Sequence, residues 1–145
     1  MITSLNEFPE SQWFKKYRIW NRCDFRDKLN SLVLAGKKRA TAGILEWDYK
    51  SEGEEIETVG ELLAVLNSEG SQIATIKATK VEVRKFSEVP DEFALAEGEG
   101  DLTGEDFRES HHRYWSKLGL NISEETLIVL FYFDLVVKPE NESGL

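Results

Sequence analysis

The chain changes its repeat period at Gly36, and that change limits the folds open to it. Before Gly36 the apolar residues recur at helical spacing. Trp13, Phe14, Tyr17 and Trp20 do so over residues 11–22, and Phe25, Leu29, Leu32 and Val33 in a second helix opened by Asp24 as its N-cap. Gly36 stands where a glycine closes a helix, and Lys37, Lys38 and Arg39 follow it, where cations suit the carbonyl end of the helix dipole. After Gly36 the pattern is that of strands. Ala40–Trp47 predicts the first, residues 50–57 a polar acidic loop, and Glu61–Leu66 with Gln72–Phe86 a hairpin around Asn67-Ser68-Glu69-Gly70. In the longer arm Val81 and Val83 alternate with Lys80, Glu82 and Arg84, as in a half-buried strand. Pro90 opens a short helix over residues 90–96. Residues 103–118 predict a longer one, with a capping-box-like Thr103 and Asp106, and with Phe107, His111, Tyr114, Trp115 and Leu118 on one face. Gly119 ends it, and Thr126–Val137 is the last strand.

Strands joined by short hairpin turns pair antiparallel, and helices before and between them cover the resulting sheet. The expected architecture is α+β: a small antiparallel or mixed β-barrel, closed or nearly so, flanked by helices. One domain is expected over residues 1–145, made of a helical extension 1–24, a core 25–137 and a polar tail 138–145. The 41% hydrophobic and 11% aromatic residues of this 145-residue chain suffice for one core. The longest apolar run, Leu127–Phe133, is far too short to span a bilayer, and the N-terminus lacks the basic start and apolar stretch of a secretory signal. A cytoplasmic location and no membrane partner are therefore expected. The single cysteine, Cys23, excludes an internal disulfide and a cysteine-based zinc site. With 27 acidic against 18 basic residues, the net charge of −9 argues against coating a long nucleic acid through its phosphates. It leaves open a pocket for one base, one nucleoside or an RNA end, because net charge governs steering and solubility rather than what a cleft admits.

Two stretches carry chemistry. In Gly36-Lys37-Lys38-Arg39-Ala40-Thr41 the chain turns from helix to strand, and Lys38 and Thr41 lie three apart where both can face one cleft. A lysine beside a hydroxyl lowers the cost of deprotonating it or stabilises negative charge developing on a substrate. The plainer alternative makes Lys37, Lys38 and Arg39 helix-end cations and Thr41 an ordinary strand residue. In Glu97-Gly98-Glu99-Gly100-Asp101, three carboxylates alternate with two glycines. Crowded carboxylates raise each other's proton affinity, which suits general acid–base work, and glycines allow the close approach. A solvated acidic loop is the alternative. The pattern is not that of an EF-hand, and no metal is expected. Arg108, His111 and His112 follow on the next helix; His111 is either a core histidine or a polar group beside the acidic loop. Trp47, at a strand end beside a loop, is the candidate for stacking on a base.

Taken together these stretches resemble the ASCH family. The resemblance rests on Gly36, Lys38 and Thr41 as a Gly-x-Lys-x-x-Thr motif and on the acidic stretch Glu97 to Asp101. Phe107, Arg108 and His111 follow as aromatic-Arg-x-x-His, then the pair Tyr114-Trp115, with Val81 to Val89 resembling the strand that precedes the acidic loop. It covers roughly residues 25 to 137. It implies a PUA-like barrel, a role near RNA, and a cleft where the lysine–threonine turn meets the acidic loop. Some small members remove the acetyl group from acetylated cytidine, which carries over Thr41 as nucleophile, Lys38 as its activator and Glu99, or alternatively Glu97, as acid–base group. Lys37, Arg39, Trp47, Glu97, Asp101, Arg108 and His111 are then candidates for binding substrate. The implied partner is RNA or a small nucleoside or nucleotide, with no cofactor. Other members are ribonucleases or RNA binders, which remain the alternatives. In this chain Phe107 stands where the family has tryptophan, and Gly43 where the small amidohydrolases carry arginine.

Overall fold

The computed structural model describes residues 23–67 and 69–137. The helix expected over 11–22, the side chains of Cys23, Asp24 and Phe25, and the tail 138–145 lie outside what it describes. Helix α1 (Cys23–Leu34) leads into strand β1 (Ala40–Ile44), and the hairpin β2 (Leu62–Leu66) and β3 (Gln72–Lys85) follows. Helices α2 (Asp91–Glu97) and α3 (Gly104–Lys117) then precede strand β4 (Leu127–Val137). The four strands form one antiparallel sheet in the order β1-β4-β3-β2, curled into a half-barrel.

Over the described residues the expected order of elements holds, and the local signals act as their chemistry dictates. Asn67 closes the hairpin: its Oδ1 accepts from the N–H groups of Glu69 and Ser71, both at 2.9 Å. Thr103 caps α3 by accepting from the Asp106 N–H at 3.0 Å. Two expectations change. Strand β1 stops at Ile44, and Leu45–Tyr49 forms a π-helical turn in which the Asp48 carboxylate accepts the Ile44 N–H at 2.7 Å, so Trp47 lies on that turn and not in the strand. Val81 and Val83 also do not share one buried stripe: both lie past the bulge between Ala78 and Lys80 and pair in regular register with Phe131 and Val129, but Val81 packs against a core layer while Val83 ends 43% exposed.

Strand β4 is apolar without alternation because it is buried on both faces. Phe131 and Phe133 join Leu29 and Val33 of α1 and the inner residues of β2 and β3 on one side. Ile128, Leu130 and Tyr132 join Ala40, Ala42 and Ile44 of β1, Phe93 of α2, and Phe107 and Trp115 of α3 on the other. The core is thus two layers divided by the sheet, and β1 lies at the edge where both helical layers come within reach.

Candidate functional site

The site grows from the edge of β1. Among the described residues this strand pairs with β4 alone, so its other edge needs partners for its backbone polar groups. Side chains supply them. The Lys38 Nζ donates to the Ala40 carbonyl at 2.7 Å, and the Ala42 N–H donates to the Glu97 carboxylate. The end of α2 is brought there by backbone contact. The Arg39 N–H donates to the Ala96 carbonyl at 2.7 Å, and Gly98, at φ +65°, packs so closely that a Cβ would come within 2.0 Å of the Lys37 carbonyl oxygen. Only glycine allows both that approach and that φ.

This contact seals Lys38 into the structure, its side chain wholly buried. Its ammonium also donates to the Glu99 carboxylate at 2.5 Å and to the Glu97 carbonyl at 3.5 Å. Glu97 is only 1% exposed, and its Oε1 has no hydrogen-bond partner. Burial holds its carboxyl well above the usual carboxylate range; Lys38 partly offsets this, while Glu99 and Asp101 add to it. His111 Nε2 lies 3.4 Å from Oε1. His111 stacks on Phe107 with ring centroids 3.9 Å apart, and its Nδ1 lies 3.1 Å from the Phe107 carbonyl. A carbonyl only accepts, so Nδ1 carries the proton and Nε2 turns its lone pair to Glu97. Burial lowers the pKa of His111, which favours that neutral ring. Asp101 is held by Ser110, whose hydroxyl donates to its carboxylate at 2.8 Å.

A cavity of about 190 Å³ opens over these groups, lined among the described residues by Leu29, Thr41, Glu97, Glu99, Asp101, Ser110, His111 and Tyr114. The structure therefore gathers Thr41, Glu97, Glu99, Asp101 and His111 of the expected site residues, with Lys38 directly behind. The rest lie elsewhere. Lys37 is exposed, and Arg39 is 62% exposed and paired with Asp134. Trp47 lines a separate groove with Lys50, Leu120 and Asn121. Arg108 donates to the Val89 carbonyl at 3.2 Å and faces a third hollow beside His112. The sequence reading missed Ser110, although its place between Phe107 and His111 on the apolar face was a usable signal. It also took Leu29 for core alone.

The family model of the ASCH domain matches residues 17–137. The chain belongs to the ASCH domain family. The crystal structure of an ASCH domain from Lactobacillus crispatus JV V101 is 31% identical, with a TM-score of 0.66 over 79% of this chain and 74% of that one. The crystal structure of a protein from Enterococcus faecalis V583 is 30% identical, with a TM-score of 0.70 over 86% of this chain and 77% of that one. The hypothetical protein PH0355, 16% identical with a TM-score of 0.52 over 76% of this chain and 93% of that one, shares the fold. No curated protein matches the chain.

Membership in the ASCH family gives the two departures a physical reading. Phe107 is fully buried among Phe86, Phe93 and Trp115, where a ring is needed and an indole N–H is not. Gly43 faces the ring of Tyr49: a Cβ there would lie 2.9 Å from its Cε1. Tyr49 is itself buried and donates to Glu57 at 2.9 Å, so this ASCH domain fills with a tyrosine–glutamate pair the space beside residue 43.

Proposed function

We propose that this ASCH domain hydrolyses the amide of a small N-acylated nucleoside of the cytidine type. The observation that carries the reading is the buried Lys38 ammonium, which ties Glu99 into the cavity that Thr41 lines. Lys38 donates to at least three acceptors and is an ammonium, so it acts by its charge and not as a base. Thr41 Oγ attacks the acyl carbon while Glu99 takes its proton. Glu99 then passes the proton to the departing amine, and water cleaves the acyl–threonine ester with Glu99 again as base. Glu99, with a side chain 23% exposed, reaches the cavity as a carboxylate ion-paired to Lys38. Glu97 is 1% exposed and burial pushes its carboxyl up, so Glu99 is the better placed base.

Two further observations support a small ligand over an extended RNA. The cavity of about 190 Å³ falls below the ~300–1,000 Å³ usual for drug-sized ligands, a size for one base or acyl group. Four of the basic residues that could bind phosphates are paired with acids: Arg39 with Asp134, Lys80 with Glu82 and Glu92, Arg84 with Glu82, and Lys85 with Glu125. The test is to incubate the protein with acetylated cytidine and other acylated nucleosides beside a Thr41→Ala variant of matching thermal stability. Turnover in the parent and its loss in the variant support the reading. No turnover with any of them sinks it, and retention or cleavage of structured RNA across a salt series then identifies the binding or ribonuclease alternative.

A further inference from the structure

The same cavity holds a second arrangement that deacylation does not use. One oxygen each from Glu97 and Asp101 and one ring nitrogen of His111 all lie within 4.8 Å of one another. Glu97 Oε1 is buried without a hydrogen-bond partner and faces the lone pair of His111 Nε2 across 3.4 Å. When Glu97 is ionised, two acceptors that close need a positive centre between them, and a cation entering from the cavity takes the place of the proton that burial favours on the free carboxyl. Ligand bonds of about 2.1 Å in a tetrahedral arrangement put neighbouring donor atoms roughly 3.4 Å apart, so this pair is already at ligand spacing.

The supporting contacts are those of metal ligands. His111 has its other ring nitrogen on a backbone carbonyl, the arrangement that aims Nε2 at an ion, and Asp101 is oriented by the Ser110 hydroxyl. The charge also fits. Glu97, Glu99 and Asp101 face one ammonium, Lys38, and when all are ionised the cluster is left with two negative charges, which a divalent cation neutralises.

We propose that Glu97, Asp101 and His111 form a site for a first-row divalent cation, of the manganese or zinc kind, since one imidazole with two carboxylates suits these ions better than calcium. Two carboxylates and an imidazole leave coordination positions for ligand oxygens entering from the cavity. The site stands or falls independently of deacylation, because its test reads binding alone. Chelator-treated protein is titrated with Mn²⁺ and free Mn²⁺ is followed by its paramagnetic resonance signal, beside Asp101→Asn, His111→Gln and Ser110→Ala variants. The expected result is one saturable Mn²⁺ per chain, lost in Asp101→Asn and His111→Gln. In Ser110→Ala, which keeps all three ligands, affinity falls about 10-fold or more. The wild-type protein and Ser110→Ala decide the matter if either ligand variant does not fold. Absence of saturable binding up to about 1 mM overturns the proposal, as does stoichiometric binding that the substitutions leave unchanged.

Discussion

Replacing Gly98 by alanine tests the contact on which the whole site depends, and Gly36 supplies the control. Both glycines are left-handed, at φ +65° and φ +78°, so alanine at either costs about 1–2 kcal/mol for the backbone conformation alone. Gly36 has nothing within 4 Å of a new Cβ, and its variant should lose that amount and no more. At Gly98 the Cβ would meet the Lys37 carbonyl oxygen at 2.0 Å and its carbon at 2.6 Å, and these are main-chain atoms that no side-chain rotation can move. Since Cβ contacts under 3.0 Å essentially do not occur, the two segments must part by about 1 Å. That movement breaks the Arg39–Ala96 backbone bond and loosens Lys38 from Glu99. A neutral hydrogen bond is worth about 0.5–1.5 kcal/mol and a charged one about 1.5–3 kcal/mol, so Gly98→Ala should cost about 2–4 kcal/mol more than Gly36→Ala. Urea unfolding at neutral pH measures both, against a total stability of about 5–15 kcal/mol for a domain of this kind. If the two variants agree within about 0.5 kcal/mol, the close approach is not what holds the acidic loop to the lysine turn.

Two further outcomes follow from the buried charges. Glu97, with a folded-state pKa raised above its ordinary 4.5, contributes stability present below that value and lost as pH rises through the folded pKa. His111, lowered from 6.5, contributes stability present above that value and lost as pH falls through the folded pKa. In chelator, Glu97→Gln should therefore flatten the decline of the urea midpoint on the alkaline side and leave the acid side as it was; an unchanged alkaline decline would refute the assignment. Lys38→Met strands the Ala40 and Glu97 carbonyls and the Glu99 carboxylate, and should cost about 3–5 kcal/mol by urea unfolding. A loss under about 1 kcal/mol would mean that the ammonium does not organise the site.

Much of this was legible from residue order. The period change at Gly36, the Asn67 turn, the Thr103 cap and the helical face of residues 103–118 are local signals, and each acts over a few residues in the structure as its chemistry requires. The nearness of Lys38 to the acidic stretch was reached only through family resemblance, since the partners are about 60 positions apart: Lys38 and Glu99 are separated by 61. Spacing also could not separate Trp47 from the cleft, because the turn that carries it away depends on Asp48 capturing the Ile44 N–H. That Val81 is covered and Val83 is not likewise depends on how far along β3 the core layer reaches, which is set by elements distant in sequence. Which of two adjacent acids becomes the buried one was beyond the sequence altogether. Glu97 and Glu99 are alike in kind and stand on either side of Gly98. Only the packing of Gly98 on the Lys37 backbone decides that one carboxyl is sealed against the edge of β1, facing His111, while the other reaches the cavity beside Lys38. Local sequence determined the elements and their caps, because those depend on neighbours in the chain. The tertiary structure decided protonation and access, because burial and the partners of a charge are set by groups distant in sequence.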